Sequence, residues 1–156
     1  MRSLMLAVCL MLGASAVQAQ VRFAPEIAFG SDADFGIGGR VNFGLTSLFK
    51  TPGFFGVGEF IYFFPSGPIN YWEINGNLGY LITVRGNVKP YVLGGLNIGH
   101  ASADCGGFNG CSSTDAGVNL GGGINIHTHG KLLPFIEGRI QLGHGDEFVV
   151  TGGLYF

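Results

Sequence analysis

Seven charged residues have the types and spacing to form one interacting group. They are Arg22, Glu26, Arg40, Glu59, Glu73, Glu137 and Arg139. Each has an aliphatic or aromatic residue on at least one neighbouring position, so the charges lie opposite an apolar face. Buried charges are stable only when they are paired and hydrogen-bonded. The pattern therefore predicts an enclosed interior that is filled by ion pairs and by asparagine and glutamine side chains.

A second group of residues could support nucleophilic catalysis. His100 and Ser102 have a His-x-Ser spacing that is similar to that of the outer-membrane lipid A deacylases, and Asp115 is the nearest acid downstream. A serine is nucleophilic only beside a positioned base that a third group orients. Because Asp115 lies across a long loop from the pair, we predict no catalytic residues, and a lipid A-modifying enzyme is kept as an alternative. His127 and His129 alone do not make a metal site, so neither a metal nor a cofactor is expected.

The elements that must position these residues are β-strands. Alternation with a period of two, bounded by Gly, Pro, Asn, Asp or Ser, is typical of strands. No convincing amphipathic helix follows residue 20. Eight segments show the alternation, at 21–30, 34–45, 54–64, 70–82, 88–100, 116–127, 132–143 and 146–156.

The composition indicates a membrane protein without membrane helices. Of the 156 residues, 47% are hydrophobic and 12% are charged, about half the charged share of a soluble domain. After the N-terminus, however, no run of about 20 apolar residues exists that could form a helical span. The hydrophobic residues are instead interleaved with polar ones. A formal charge of −2 argues against a nucleic-acid partner.

The two faces of the strands show which side meets lipid. One face carries Arg, Glu, Asn, Gln and many glycines, whereas the other is continuously apolar and has aromatic residues near both strand ends. A strand of about 10 residues crosses a bilayer at a tilt, and backbone groups in lipid need partners, so the sheet must close. The sequence thus predicts an all-β fold, an eight-stranded antiparallel up-and-down transmembrane β-barrel, rather than a soluble sandwich or lipocalin.

The N-terminal segment has the features of a signal peptide. "MRS" is positively charged, "LMLAVCLML" is apolar but too short to span a bilayer, and Val17 and Ala19 are small residues at the −3 and −1 positions. We expect cleavage of residues 1–19, with a cut after Ala16 as the alternative, and a barrel domain over 20–156. Export then places the protein in the outer membrane of a Gram-negative-type cell.

The whole mature chain resembles the small OmpA/OmpX-type outer-membrane β-barrel family. The resemblance rests on the even strand number, the alternation and the aromatic C-terminus. In that family the last strand is the segment that the barrel-assembly machinery recognises. It implies an assembly signal here at Phe148, Val150, Leu154 and Phe156, with Gly152 as a weak position. The implied surroundings are outer-membrane lipids and lipopolysaccharide.

An even strand number places both termini in the periplasm. The external loops are then 31–34, 65–70, 101–115 and 144–147, and the third is the longest. Cys105 and Cys111 in this loop can form a disulfide in an oxidising compartment, which stabilises the loop by about 2–3 kcal/mol. The loop either contacts an external ligand or is protected from proteases.

The predicted role is non-enzymatic, in envelope integrity or surface interaction, with a lumen that side chains plug. Because acids outnumber bases on the inward face, a narrow cation-preferring channel is the alternative.

Overall fold

The computed structural model describes residues 21–103, 111–143 and 146–156, which form eight strands and one helical turn. The elements are β1 (Val21–Gly30), β2 (Asp34–Gly44), α1 (Thr46–Phe49), β3 (Phe54–Phe64), β4 (Ile69–Leu81), β5 (Val88–Ala103), β6 (Cys111–Ile126), β7 (Leu133–Leu142) and β8 (Glu147–Tyr155). Within those ranges, no helix has the length and hydropathy needed to cross a membrane.

The eight strands close into one barrel. Each strand pairs antiparallel with the next along the chain, and β8 pairs with β1 from Glu26↔Gly153 to Gly30↔Val149. At the end of this last pairing, Phe156 N donates a hydrogen bond to Phe23 O at 3.0 Å. The predicted up-and-down barrel of eight strands is confirmed.

Side chains alternate between a buried inner face and an exposed outer face. In β1, Ala24 and Ala28 are buried, whereas Phe23, Ile27 and Phe29 are about half exposed. The same alternation continues on the other strands, so that most large aliphatic side chains of the barrel face outward. An apolar surface that encircles the whole barrel is unfavourable in water but suits contact with lipid chains.

Aromatic residues form a rim at each end of the outer face. At one end, the ring centroids of Phe29 and Phe35 are 5.3 Å apart, and Phe64 follows Phe35 at 6.1 Å. At the other end, Phe54 and Tyr80 lie 5.0 Å apart. Rings at these two levels have the arrangement expected at the two membrane–water interfaces.

We call the two ends of the barrel the terminal end and the loop end. The terminal end has Val21, Phe156 and the connections 45–53, 82–87 and 127–132, and the loop end has the connections 31–33 and 65–68 and the strand ends Ala103, Cys111, Leu142 and Glu147. Apart from Arg40 and Arg139 at mid-strand, the described basic residues all belong to the terminal end: Arg22, Lys50, Arg85, Lys89 and Lys131. Glu26, Glu59, Glu73 and Glu137 are likewise at mid-strand. The other described acidic residues all belong to the loop end: Asp32, Asp34, Asp115, Asp146 and Glu147.

The hairpin of β5 and β6 corrects the predicted third external loop. Residues 101–103 and 111–115 are strand, and they pair from Gly99↔Asp115 to Ala103↔Cys111. These pairs were not predicted, because their Ala, Ser and Thr residues show no apolar alternation. Residues 104–110 lie outside the described part of the chain. Cys105 is among them, so the disulfide stays a prediction.

Two further differences are small. The connection 45–53 contains the single turn α1, although no helix was predicted after residue 20. The signal-peptide segment 1–19 and residues 144–145 of the fourth predicted loop lie outside the described residues.

Candidate functional site in the barrel interior

Arg40 on β2 is the centre of a charged layer that crosses the barrel. Its Nε lies 2.5 Å from Glu26 Oε2, its Nη2 2.6 Å from Glu59 Oε1, and its Nη1 2.8 Å from Glu137 Oε2. Nη2 also donates to Thr151 Oγ1 at 3.0 Å. All three ion-pair partners are at most 1% exposed at the side chain. One guanidinium therefore connects β2 to β1, β3, β7 and β8.

Arg139 on β7 extends the same layer. Its Nη1 lies 2.7 Å from Glu59 Oε2 and 3.3 Å from Glu137 Oε1, and its Nη2 lies 3.8 Å from Glu73 Oε2. Glu59 and Glu137 therefore each contact both arginines. With four glutamates and two arginines, the fully ionised layer has a formal charge of −2 (two positive minus four negative).

Amide side chains continue the hydrogen bonding beyond the charged layer. Gln141 Nε2 donates to Glu73 Oε2 at 2.8 Å, and Asn97 Nδ2 donates to Gln141 Oε1 at 3.3 Å. Asn119 Nδ2 reaches Asn75 Oδ1 and Asn77 Oδ1, both at 2.9 Å. These buried side chains bridge the four strands β4 to β7. The polar residues at inward positions therefore form a connected hydrogen-bond network, as the sequence predicted.

Two tyrosines belong to this site, although the sequence analysis gave them no role. Tyr91 Oη donates to Glu137 Oε2 at 2.7 Å, and Tyr71 Oη donates to Glu73 Oε1 at 2.6 Å. Both tyrosines lie an even number of positions from inward residues of their strands. This alternation, which we call parity, is the signal that could have identified them.

Apolar clusters fill the interior on both sides of the charged layer. Toward the loop end, Ile61, Phe63 and Val149 are fully buried together with Ala28 and Ala33. Toward the terminal end, the clusters are Phe55, Val57, Tyr91 and Leu93, and Ala24, Leu133, Phe135 and Tyr155. The Phe135 ring also lies against the central guanidinium, with Arg40 Cζ 4.2 Å from its centroid. The interior is therefore less polar than the sequence analysis expected.

Arg22 is the one predicted member that the charged layer does not include. Among the described residues, no carboxylate lies within ion-pair distance of it. It is half-buried near the start of β1, and its Cα is separated from that of Glu26 by about 13 Å along the strand. Ala24 and its apolar cluster lie between the two levels, so Arg22 cannot join the other six residues.

The histidine–serine group is not arranged as a catalytic triad. His100 faces outward, where its ring stacks on Trp72 at 5.1 Å and its Nδ1 lies 2.7 Å from Thr114 Oγ1. Asp115 is on the inner face of the paired strand and accepts a hydrogen bond from Ser113 Oγ at 2.8 Å. The base and the acid therefore point to opposite faces of the sheet. His127 and His129 are exposed at the terminal end.

The four residues of the implied assembly signal lie on the outer face at the last strand. Phe148, Val150 and Phe156 are exposed, and Leu154 is half-buried. Their spacing of two or four residues gives all four the same orientation.

The closed eight-stranded barrel has counterparts among solved outer-membrane proteins. The N-terminal β-barrel domain of Pseudomonas aeruginosa OprF is similar with a TM-score of 0.72 and 15% identity, over 89% of this chain and 98% of that domain. Neisserial surface protein A (NspA) has a TM-score of 0.57 and 17% identity, over 86% and 91% of the two chains. The attachment invasion locus protein Ail of Yersinia pestis has a TM-score of 0.58 and 16% identity, over 86% and 91%.

These similarities define the class of fold. No protein-family model and no curated protein matches the sequence. The chain has the fold of the small eight-stranded outer-membrane β-barrels, as the sequence analysis predicted.

Proposed function

We propose that this protein is an integral outer-membrane β-barrel with a closed lumen and a non-enzymatic role, in envelope integrity or in surface contact. The observation that carries the proposal is the bonding of one guanidinium, that of Arg40, to glutamates on three other strands across the interior. A barrel of eight strands encloses a space that side chains can fill. Its outer face then provides a stable apolar surface for lipid.

A closed lumen is favoured over the narrow cation channel. The channel alternative has one argument in its favour, because the formal charge of −2 at the charged layer would attract cations. A passing ion, however, would have to separate buried ion pairs, and loss of one partner in such a pair costs about 3–5 kcal/mol. The apolar clusters on both sides of the layer add a second barrier, because a hydrated ion would lose its water there.

The β5–β6 hairpin is the element best placed for surface contact. Its two strands have 16 residues each, whereas β1 and β7 have 10. Residues 111–117 of β6 continue past its pairing with β7, which stops at Val118↔Leu142, and Cys105 and Cys111 would close the hairpin. Ail has been solved with the heparin analogue sucrose octasulfate. A sulfated ligand would be repelled here, because the described loop end carries five carboxylates and no lysine or arginine.

The same proposal includes the route to the membrane. Residues 1–19 would be removed on export, and Phe148, Val150, Leu154 and Phe156 would be the segment that the barrel-assembly machinery recognises. Outer-membrane phospholipid and lipopolysaccharide would then cover the apolar outer face.

Membrane insertion and orientation can be tested by cysteine labelling of intact Gram-negative cells. In a background with serine at Cys105 and Cys111, we expect Ser66→Cys at the loop end to react with a membrane-impermeant maleimide on intact cells. Ser47→Cys at the terminal end should react only after the outer membrane is permeabilised. Labelling of both sites on intact cells, or recovery of the protein in the soluble fraction, would contradict the proposed topology.

A further inference from the structure

A cavity of about 300 Å³ opens at the loop end of the barrel, and we call it the cup. Its polar lining consists of three carboxylates, Asp32, Asp115 and Glu147, together with Tyr71, Asn97 and Gln141. Its apolar lining includes Ala33, Ile69 and Leu142. The cup lies above the charged layer, to which it is joined through the hydrogen bond from Gln141 Nε2 to Glu73 Oε2.

The electrostatics of the cup favour a cation. Among the described residues that line it, none is Lys, Arg or His. Of the ion pairs in the described chain, none reaches Asp32, Asp115 or Glu147. In the part of the chain that the structure describes, Glu147 Oε1 accepts hydrogen bonds from the backbone alone, at 3.0 Å from Ala33 N and 3.4 Å from Asp32 N. The negative charges of the cup are therefore not neutralised by the described protein side chains.

A buried acceptor in the cup is an independent indication of a missing donor. Asn97 is only 8% exposed, and its Oδ1 has no hydrogen-bond partner among the described residues. Leaving such a group unpaired is costly, and buried side-chain oxygens are normally satisfied. A ligand with N–H groups that enters the cup would supply the donor.

Two glycines keep the space in front of these acceptors open. A Cβ at position 99 would lie 2.7 Å from Tyr71 Oη, and a Cβ at position 117 would collide with Asn97 Oδ1. Any other residue at either position would fill the space where a ligand atom could meet the tyrosine and the amide.

The shape of the cup selects the kind of cation. Within the described residues, no three His, Cys, Asp or Glu side chains are close enough to hold one metal ion. The volume lies at the small end of ligand pockets, and the apolar walls suit a short carbon chain. We propose that the cup binds an organic cation, an ammonium or guanidinium group on a short alkyl chain. The positive group would lie between Asp115 and Asn97 Oδ1. This inference does not depend on whether the lumen is closed.

The test is an NMR titration of the ¹⁵N-labelled, refolded protein in detergent micelles with agmatine and with pentylamine. We expect saturable shifts of the Asn97 side-chain amide and of the Gly99 and Gly117 backbone amides. Pentanol, a neutral probe of the same chain length, should give none. Asp115→Asn should weaken binding by about fivefold or more, because a hydrogen bond to a charged acceptor is stronger than one to a neutral acceptor.

The matched control is Asp34→Asn, which removes the same charge at the same end but outside the cup. Asp34 accepts a hydrogen bond from Ser66 N at 3.0 Å, which an asparagine side chain can also accept. This variant should bind agmatine as the wild type does. Absence of saturable shifts, equal weakening by both substitutions, equal binding of pentanol, or displacement of agmatine by equimolar Ca²⁺ would each overturn the proposal.

Discussion

Replacing Arg40 with methionine is expected to destabilise the barrel by about 3–5 kcal/mol or to prevent folding. The substitution preserves a long apolar side chain, but it leaves Glu26 without an ion-pair partner among the described residues and leaves Glu59 and Glu137 with Arg139 alone. Removal of one partner from a buried ion pair has a cost of this size because the remaining charge is uncompensated. The midpoint of urea unfolding in lipid vesicles, followed by the fluorescence of the single tryptophan, Trp72, measures the effect.

Arg22→Met is the matched control for this prediction. It makes the same chemical change on the inner face of the neighbouring strand, where no described carboxylate is paired with the arginine. Its unfolding midpoint should be close to that of the wild type. Equal midpoints for Arg22→Met and Arg40→Met would show that the charged layer does not stabilise the barrel.

A compensating variant separates loss of charge balance from loss of packing. Adding Glu26→Gln and Glu137→Gln to Arg40→Met removes two of the three carboxylate charges that pair with Arg40 in the wild type. Neutral amides can be hydrogen-bonded in the interior at much lower cost than carboxylates. We therefore expect this triple variant to recover part of the lost stability. If the triple variant is no more stable than Arg40→Met, the loss of stability in Arg40→Met is caused by packing alone.

Gly95→Ala on β5 is expected to destabilise the barrel by about 1–3 kcal/mol or more, as overpacking does. Gly95 faces inward, and a Cβ there would collide with Gly76 O and Asn77 Oδ1 and lie 2.6 Å from Asn77 Cα. Two of these atoms belong to the backbone of β4, so the strands would have to move apart. The same unfolding measurement in lipid vesicles reports the loss.

Gly94→Ala, at the adjacent residue, is the control for the effect of a methyl group. Gly94 faces outward, and the nearest atoms to its Cβ would be 3.5 Å away, at Asn119 O and Leu120 Cδ2. This variant should fold with wild-type stability. If Gly94→Ala is as damaging as Gly95→Ala, strand flexibility rather than close packing explains the glycine at position 95.

Strand number, closure and the orientation of most side chains could be predicted because apolar and polar residues alternate with a period of two along each strand. Once closure was inferred, the parity of Glu26, Arg40 and Glu59 placed all three in the interior. Parity gives the face of a residue but not its depth along the barrel axis. Arg22 was therefore assigned to a layer from which one inward position, that of Ala24, separates it.

The composition of the interior could not be predicted from pattern alone. Alternation along β3 places Phe63 on the inner face, but its packing against Ala28 and Val149 depends on how β3 and its neighbours align, which the alternation does not give. The extension of β5 and β6 was missed for a related reason. Pairs such as Ala101↔Ser113 are held by backbone hydrogen bonds, which do not require an alternation of apolar and polar side chains.

Single-channel recording in planar bilayers is the most direct test of the closed lumen. The sample should be protein whose folding is confirmed by a mobility shift between unheated and heated gels. The charged layer and the apolar clusters predict no steady conductance steps above the baseline of the protein-free bilayer. Steady, cation-selective steps from the wild-type protein would contradict the closed lumen and establish the channel instead.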